Sequence, residues 1–111
     1  MTVKFGYHIL IVDDVTENIQ VVMNILKEQN YQFSFATSGA EALALVDQQD
    51  FDLILLDIMM PDMNGFDVCK QIKSQPSLHD DVPIIFLTAR TDIDSISQGF
   101  ALGAVDYIVK P

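Results

Sequence analysis

Carboxylate, hydroxyl and ammonium side chains stand directly after short apolar runs of this chain. In chain order they are Asp13 and Asp14, Asp57, Thr88 and Lys110. Mg²⁺ prefers oxygen ligands, typically one or two carboxylates together with water and phosphate oxygens. A lysine ammonium pairs with phosphate as a point charge, and a hydroxyl can donate a hydrogen bond to it. If the fold brings these groups together, they would form a site for a phosphoryl group and a divalent cation.

Each of these residues also has a simpler explanation. Asp13 and Asp14 could cap the helix that follows them, Asp57 could begin a loop, and Lys110 could be a solvated surface residue. Adjacent carboxylates at a buried strand end are costly, however, because like charges repel where water is partly excluded. A hard cation relieves this repulsion, so the convergence of all three acids would favour a metal site.

Alternating strands and helices must position these residues. Short apolar runs separated by helical patterns indicate parallel strands buried on both faces. The predicted strands are Tyr7–Val12, Gln32–Ala36, Leu53–Leu56, Ile84–Leu87 and Tyr107–Val109. The predicted helices are Glu17–Gln29, Ser38–Gln48, one that begins after Asn64-Gly65, and Asp94–Leu102. Because parallel strands need right-handed crossovers, this order predicts an α/β fold with a doubly wound, five-stranded parallel sheet. Ligands in such sheets bind beyond the carboxyl ends of the strands, where the five landmark residues fall.

Capping and turn residues mark the beginnings of the first three helices. Thr16 is the expected N-cap of the first helix. Ser38 and Glu41 have the spacing of a capping box at the second. Gly65 is expected to allow a positive φ just before the third.

Length, charge and cysteine content limit the possible functions. The 111 residues predict one domain. The net charge is −10 and the six basic residues are spread along the chain, whereas nucleic-acid binding needs clustered Lys and Arg. No apolar run approaches the roughly 18 residues of a membrane span. The single cysteine, Cys69, excludes an internal disulfide, favours a cytoplasmic setting, and is expected to be a small buried hydrophobe.

Four segments of the chain share the order and spacing of one known family. They are Val12-Asp-Asp14, Leu55-Leu-Asp-Ile-Met-Met-Pro-Asp-Met-Asn-Gly65, Leu87-Thr-Ala89 and Tyr107-Ile-Val-Lys-Pro111. Together they resemble the receiver domain of bacterial two-component response regulators, over essentially the whole chain. The resemblance implies a single receiver domain over residues 1–111 with the flavodoxin-like strand order 2-1-3-4-5.

The resemblance implies a phosphorylation-dependent switch in a phosphorelay. Asp57 would be the phosphoacceptor, supplied by a sensor histidine kinase or a histidine phosphotransfer protein. Asp14, Asp57 and the Met59 backbone carbonyl would bind Mg²⁺ (or Mn²⁺) directly, and Asp13 would hold a coordinated water. The signal would pass to an output domain, either covalently linked or separate.

The same resemblance implies roles for residues of the last two strands. Lys110 would pair with a phosphoryl oxygen. Thr88 would be the switch hydroxyl, and Tyr107 the aromatic side chain that moves with it.

Met59 and Arg90 follow Asp57 and Thr88, respectively, by two positions, where side chains can overhang the site. We expect them to tune the lifetime of the phosphoryl group.

Two other classes of protein remain as alternatives. A haloacid-dehalogenase-like phosphatase also uses a strand-end Asp with Mg²⁺, but it needs a second Asp where this chain has Met59. A flavodoxin-like electron carrier needs a Ser/Thr/Gly-rich phosphate loop after the first strand, where this chain has Asp13-Asp-Val-Thr16. The receiver interpretation fits better, and it implies no enzyme beyond self-catalysed phosphoryl transfer and dephosphorylation.

The chain departs from the family's usual pattern after the fifth strand. Family members usually continue into a fifth helix, whereas this sequence stops at Pro111. We therefore expect a domain truncated before its last helix. An apolar sheet face left uncovered in this way invites association, so a homodimer is possible.

Overall fold

The computed structural model describes residues 8–27, 31–74, 82–88 and 106–109. Its strands are β1 (His8–Val12), β2 (Gln32–Ala36), β3 (Leu53–Asp57), β4 (Ile84–Thr88) and β5 (Asp106–Val109). The helices in the described residues are α1 (Thr16–Leu26), α2 (Gly39–Gln48) and α3 (Gly65–Ser74). The helix predicted at Asp94–Leu102 lies outside the described residues. None of the helices in the described part of the chain combines the length and apolarity needed to cross a bilayer.

The strands form one parallel sheet in the order β2-β1-β3-β4-β5, which confirms the predicted architecture and strand order. In the ladders, Val12 lies beside Leu56 and Asp57 beside Leu87. The chain therefore leaves β1, β3 and β4 at neighbouring points of one sheet edge. β3 and β4 each extend one residue further than predicted, so that Asp57 and Thr88 are the last residues of their strands.

Both faces of the sheet are buried against helices. Leu10 and Val12 belong to a core cluster that includes Ala42 of α2 and Val68 of α3. Ile9 and Ile11, which alternate with them along β1, pack with Ile19 of α1 on the other face. This two-sided burial explains why β1, β3 and β4 are almost continuously apolar rather than alternating.

The predicted beginning of α1 was wrong by one residue. Val15 is the N-cap, with an extended backbone (φ −103°, ψ 109°) and no side-chain cap hydrogen bond, and Thr16 is the first helical residue. The Val15 N–H donates to Asp13 Oδ1 at 3.0 Å, so the Asp13 side chain turns the chain into the helix. The Ser38 prediction was right, because Ser38 Oγ accepts the Glu41 N–H at 3.1 Å.

Cys69 of α3 is fully buried, as predicted. Burial raises the pKa of its thiol because the thiolate would lose hydration, and the nearby Lys73 charge opposes this only in part. The residue therefore packs as a neutral hydrophobe.

Candidate functional site

Asp13, Asp14 and Asp57 converge at the carboxyl end of the sheet. One carboxylate oxygen from each lies within 4.8 Å of those of the other two. Asp13 and Asp57 are buried (0% and 1% exposed), whereas Asp14 is exposed. The β1–β3 register explains the meeting, because both strands end side by side. The predicted convergence of the three acids is therefore present, with Asp14 on the solvent side of the two buried carboxylates.

Backbone N–H groups orient both buried carboxylates. Asp13 Oδ1 accepts the N–H of Val15, and Asp57 Oδ1 accepts the N–H of Met59 at 3.3 Å. Each bond closes a turn from an Asp to the residue two positions later. The second oxygen of each carboxylate, Oδ2, is closed off from solvent. Each carboxylate therefore stabilises the turn that begins the loop after its strand, and the same hydrogen bond fixes the orientation of the carboxylate.

The donor set suits a small, hard divalent cation. All three side chains offer carboxylate oxygens, which Mg²⁺ and Mn²⁺ prefer, and two of the three are buried beside each other. Asp14 lies at the solvent side, where water and phosphate oxygens can complete the coordination. The residues present fit such an ion, because a bound cation would offset the mutual repulsion of the three carboxylates.

Met59 connects this cluster to the loop that follows β3. Its side chain is 63% exposed, while its backbone N–H binds the Asp57 carboxylate. The Met59 backbone therefore runs beside the phosphoacceptor candidate. The assignment of its carbonyl as a ligand stays a prediction.

Gly65 closes this loop at its base, for a reason different from the predicted one. The Gly65 N–H donates to the Ile58 carbonyl at 2.8 Å. A Cβ on Gly65 would collide with the Asp57 carbonyl oxygen and lie 2.9 Å from the Ile58 Cα. The φ of Gly65 does not lie in the left-handed region. The glycine is required because two backbone segments approach each other closely.

Thr88 and Tyr107 are placed by the backbone ladders. Thr88 ends β4, one residue beyond the partner of Asp57, and pairs with Val109 of β5. Tyr107 pairs with Phe86, two residues before Thr88. The predicted switch residues therefore lie on adjacent strands, β4 and β5, and β4 is the neighbour of β3, which carries Asp57. Arg90 and Lys110 lie outside the described residues, and their predicted roles stay predictions.

Asp62 is a residue of this region whose role sequence reasoning missed. Its Oδ1 accepts the Gly39 N–H at 3.1 Å and its Oδ2 accepts the Ala40 N–H at 3.2 Å. These two N–H groups, with smaller contributions from nearby backbone, hold the pKa of the Asp62 carboxyl below its usual value. The signal in the sequence is that the first N–H groups of a helix need partners, but nothing local points to Asp62 as the partner.

Comparison with known proteins identifies the class to which this fold and site belong. The sequence matches the family model of the response regulator receiver domain over residues 9–111. The chain belongs to this family, the phosphoacceptor switches of two-component systems. The phosphatase and electron-carrier alternatives are not supported.

Relatives and solved structures agree with this assignment. A protein named as a probable cyclic di-GMP phosphodiesterase of Vibrio cholerae is 46% identical over 103 residues, which cover 93% of this chain and 23% of that protein. The response regulator SaeR of Staphylococcus aureus is 39% identical over 104 residues, which cover 94% of this chain and 44% of SaeR. This chain therefore spans less than half the length of these relatives.

Among solved structures, the chemotaxis response regulator CheY4 of Vibrio cholerae superposes with a TM-score of 0.88 at 36% identity, covering 96% of this chain and 88% of CheY4. The N-terminal domain of a response regulator receiver protein from Methanoculleus marisnigri gives a TM-score of 0.85 at 35% identity, covering 95% of this chain and 85% of that one.

Proposed function

We propose that Asp57 is the phosphoacceptor of this receiver domain and that its donor is the phosphohistidine of a sensor histidine kinase or a histidine phosphotransfer protein. The observation that carries this proposal is the burial of Asp57 at the end of β3, in a cluster with Asp13 and Asp14. A carboxylate held by the Met59 N–H is a fixed nucleophile, and its neighbours supply a cation site beside it.

In the proposed transfer, a carboxylate oxygen of Asp57 forms a bond to phosphorus. The bond from phosphorus to the donor imidazole nitrogen breaks, and the imidazole leaves with the electron pair. Phosphoryl transfer spreads charge over the equatorial oxygens, so the domain acts mainly through positioning and electrostatic stabilisation. Lys110 and Thr88 would contribute a cation and a hydroxyl donor to those oxygens.

Asp13, Asp14, Asp57 and the Met59 carbonyl would hold Mg²⁺ (or Mn²⁺). When bound, the ion would neutralise charge on the transferring phosphoryl group. The crowded carboxylates support this assignment, because they have the donor type and charge that the ion requires.

We further propose that residues 1–111 form one receiver domain of a larger cytoplasmic signalling system. The output domain, linked or separate, would respond to movement of Thr88 and Tyr107, and Met59 and Arg90 would tune how long the phosphoryl group persists. The domain would catalyse its own phosphorylation and dephosphorylation only. Homodimer formation stays a prediction, which light scattering can test.

Incubation with acetyl phosphate and MgCl₂ tests the assignment of Asp57. Intact-mass spectra should show the addition of one phosphoryl group to the wild type and none to Asp57→Asn. Asp47→Asn is the matched control, because Asp47 is an exposed carboxylate of α2 and should leave the modification unchanged. A phosphorylated Asp57→Asn protein would disprove the assignment.

A further inference from the structure

The loop between β3 and α3, residues 58–64, is fastened at two places. At its base the Gly65 N–H donates to the Ile58 carbonyl. At its outer turn the Asp62 carboxylate accepts the N–H groups of Gly39 and Ala40, one on each oxygen. The second fastening joins the loop to the N-terminus of a different helix, α2.

We propose that Asp62 is a positioning residue for phosphoryl transfer, because it ties loop 58–64 to α2 and thereby holds the Met59 backbone beside Asp57. The proposal rests on the proposed role of Asp57 as phosphoacceptor. Asp62 itself would touch neither the phosphoryl group nor the cation. It would act through Met59, which is three positions earlier in the chain.

The position of Met59 depends on its neighbours because its own side chain is mostly exposed. Ile58 and Met60 on either side are buried and hold the inner side of the loop. Pro61, which lies between Met60 and Asp62, has a fixed φ. A displacement of Asp62 is therefore transmitted back along the chain towards Met59. The Met59 N–H reaches Asp57 Oδ1 at 3.3 Å, near the long end of hydrogen-bond distances. A small shift of this backbone would therefore break the bond that orients the phosphoacceptor.

The first turn of α2 divides its N–H donors between two acceptors. Ser38 Oγ accepts the Glu41 N–H from within the same helix turn, and Asp62 accepts the Gly39 and Ala40 N–H groups from across the fold. A carboxylate at a helix N-terminus is favoured by the unpaired N–H groups and the helix dipole there. Gly39 also packs closely here, since a Cβ on it would lie 3.0 Å from Met63 Cβ of the same loop.

A simpler explanation is that Asp62 only caps α2. Ser38→Ala separates the two possibilities, because it also removes a hydrogen bond from the α2 N-terminus but leaves the loop fastened. The experiment compares Asp62→Ala, Asp62→Asn and Ser38→Ala with the wild type. It measures urea denaturation, the Mg²⁺ dissociation constant by amide NMR titration, and the rate of phosphorylation by acetyl phosphate.

We expect Asp62→Ala to weaken Mg²⁺ binding and slow phosphorylation by about tenfold, the effect typical of losing a residue that orients a metal ligand. Ser38→Ala should destabilise the fold while leaving both quantities unchanged. Asp62→Asn keeps one carbonyl oxygen as acceptor, so its loss should be smaller and in the same direction. It also provides the comparison if Asp62→Ala fails to fold.

Wild-type Mg²⁺ affinity and phosphorylation rate in both Asp62 variants would overturn the proposal and leave Asp62 as a helix cap. Equal losses in Ser38→Ala and Asp62→Ala would also overturn it, because the effect would then follow from α2 stability alone. Failure of the Asp57 assignment is distinguishable, since it appears in the mass spectrum of Asp57→Asn and does not alter the Mg²⁺ titration of the Asp62 variants.

Discussion

At the scale of single residues, two glycines near the site differ in what an added methyl group would meet. At Gly65 it would collide with the backbone of Asp57, which cannot move without disturbing β3. At Gly39 it would meet side-chain atoms, namely Val68 Cγ2 at 2.9 Å, Met63 Cβ at 3.0 Å and Met63 Sδ at 3.3 Å. Backbone yields less readily than side chains, so the two sites should respond differently.

We therefore expect Gly65→Ala to lower the free energy of unfolding by about 3 kcal/mol, the upper part of the range for overpacking. Gly39→Ala should cost less, because the side chains of Val68 and Met63 would have to shift rather than backbone, and alanine favours the helical conformation. Urea denaturation of both variants measures the difference. Because Gly65→Ala displaces the Asp57 carbonyl, it should also slow phosphorylation. Equal stabilities would show that β3 accommodates the methyl group as easily as the side chains of Val68 and Met63 do.

At the scale of elements, α1 begins without a side-chain cap. Val15 occupies the N-cap position with an extended backbone, and its side chain is 41% exposed. A serine there could accept an N–H of the first helical turn, and little burial would be lost.

Val15→Ser should accordingly raise the free energy of unfolding by about 1 kcal/mol. Val15→Ala shortens the side chain similarly but offers no acceptor, so it should bring no gain. Chemical denaturation of both variants tests this expectation. An equal response of the two would mean that the Val15 position does not act as a functional N-cap.

The elements also show how far sequence reasoning extends. The positions of β1, β3 and β4 were predictable because a strand buried on both faces must be apolar throughout, and that signal is local. The beginning of α1 was misplaced because the Asp13 carboxylate, rather than the hydroxyl of Thr16, binds the turn. The requirement for Gly65 was predicted, but its cause depends on the approach of two backbone segments that only the folded chain brings together.

The site was predictable to a similar extent. The convergence of Asp13, Asp14 and Asp57 followed from strand ends meeting at one sheet edge, which topology dictates. The tie from Asp62 to Gly39 could not be found, because it joins residues 23 positions apart and several acidic residues could have served. Long-range partners of this kind are set by tertiary packing rather than by a local pattern.

At the scale of the whole molecule, binding of Mg²⁺ should stabilise the fold. Two like charges about 4 Å apart repel by roughly 4 kcal/mol at an effective dielectric constant of 20, and the cation removes part of this cost. A ligand present at 100 times its dissociation constant contributes about 2.7 kcal/mol. For a domain of this size the melting temperature should rise by on the order of 10 °C.

Thermal melts with and without MgCl₂ measure this rise. Asp14→Asn should abolish most of the rise in melting temperature, because the substitution removes a ligand and also eases repulsion in the metal-free protein. Asp47→Asn, which changes an exposed carboxylate of α2, should preserve the full rise. A wild-type protein that melts at one temperature in both conditions would contradict the metal site.

The parallel register has a consequence for chimeric signalling proteins. Successive residues of a strand point to opposite faces, so one residue inserted within Leu53–Leu56 would turn Asp57 toward the other helix layer. Segments exchanged between receivers should therefore be whole strands, joined in connecting loops that tolerate changes in length. The loop 58–64 is an exception. Because it is fastened both at Gly65 and at Asp62, it must be transplanted together with the first turn of α2.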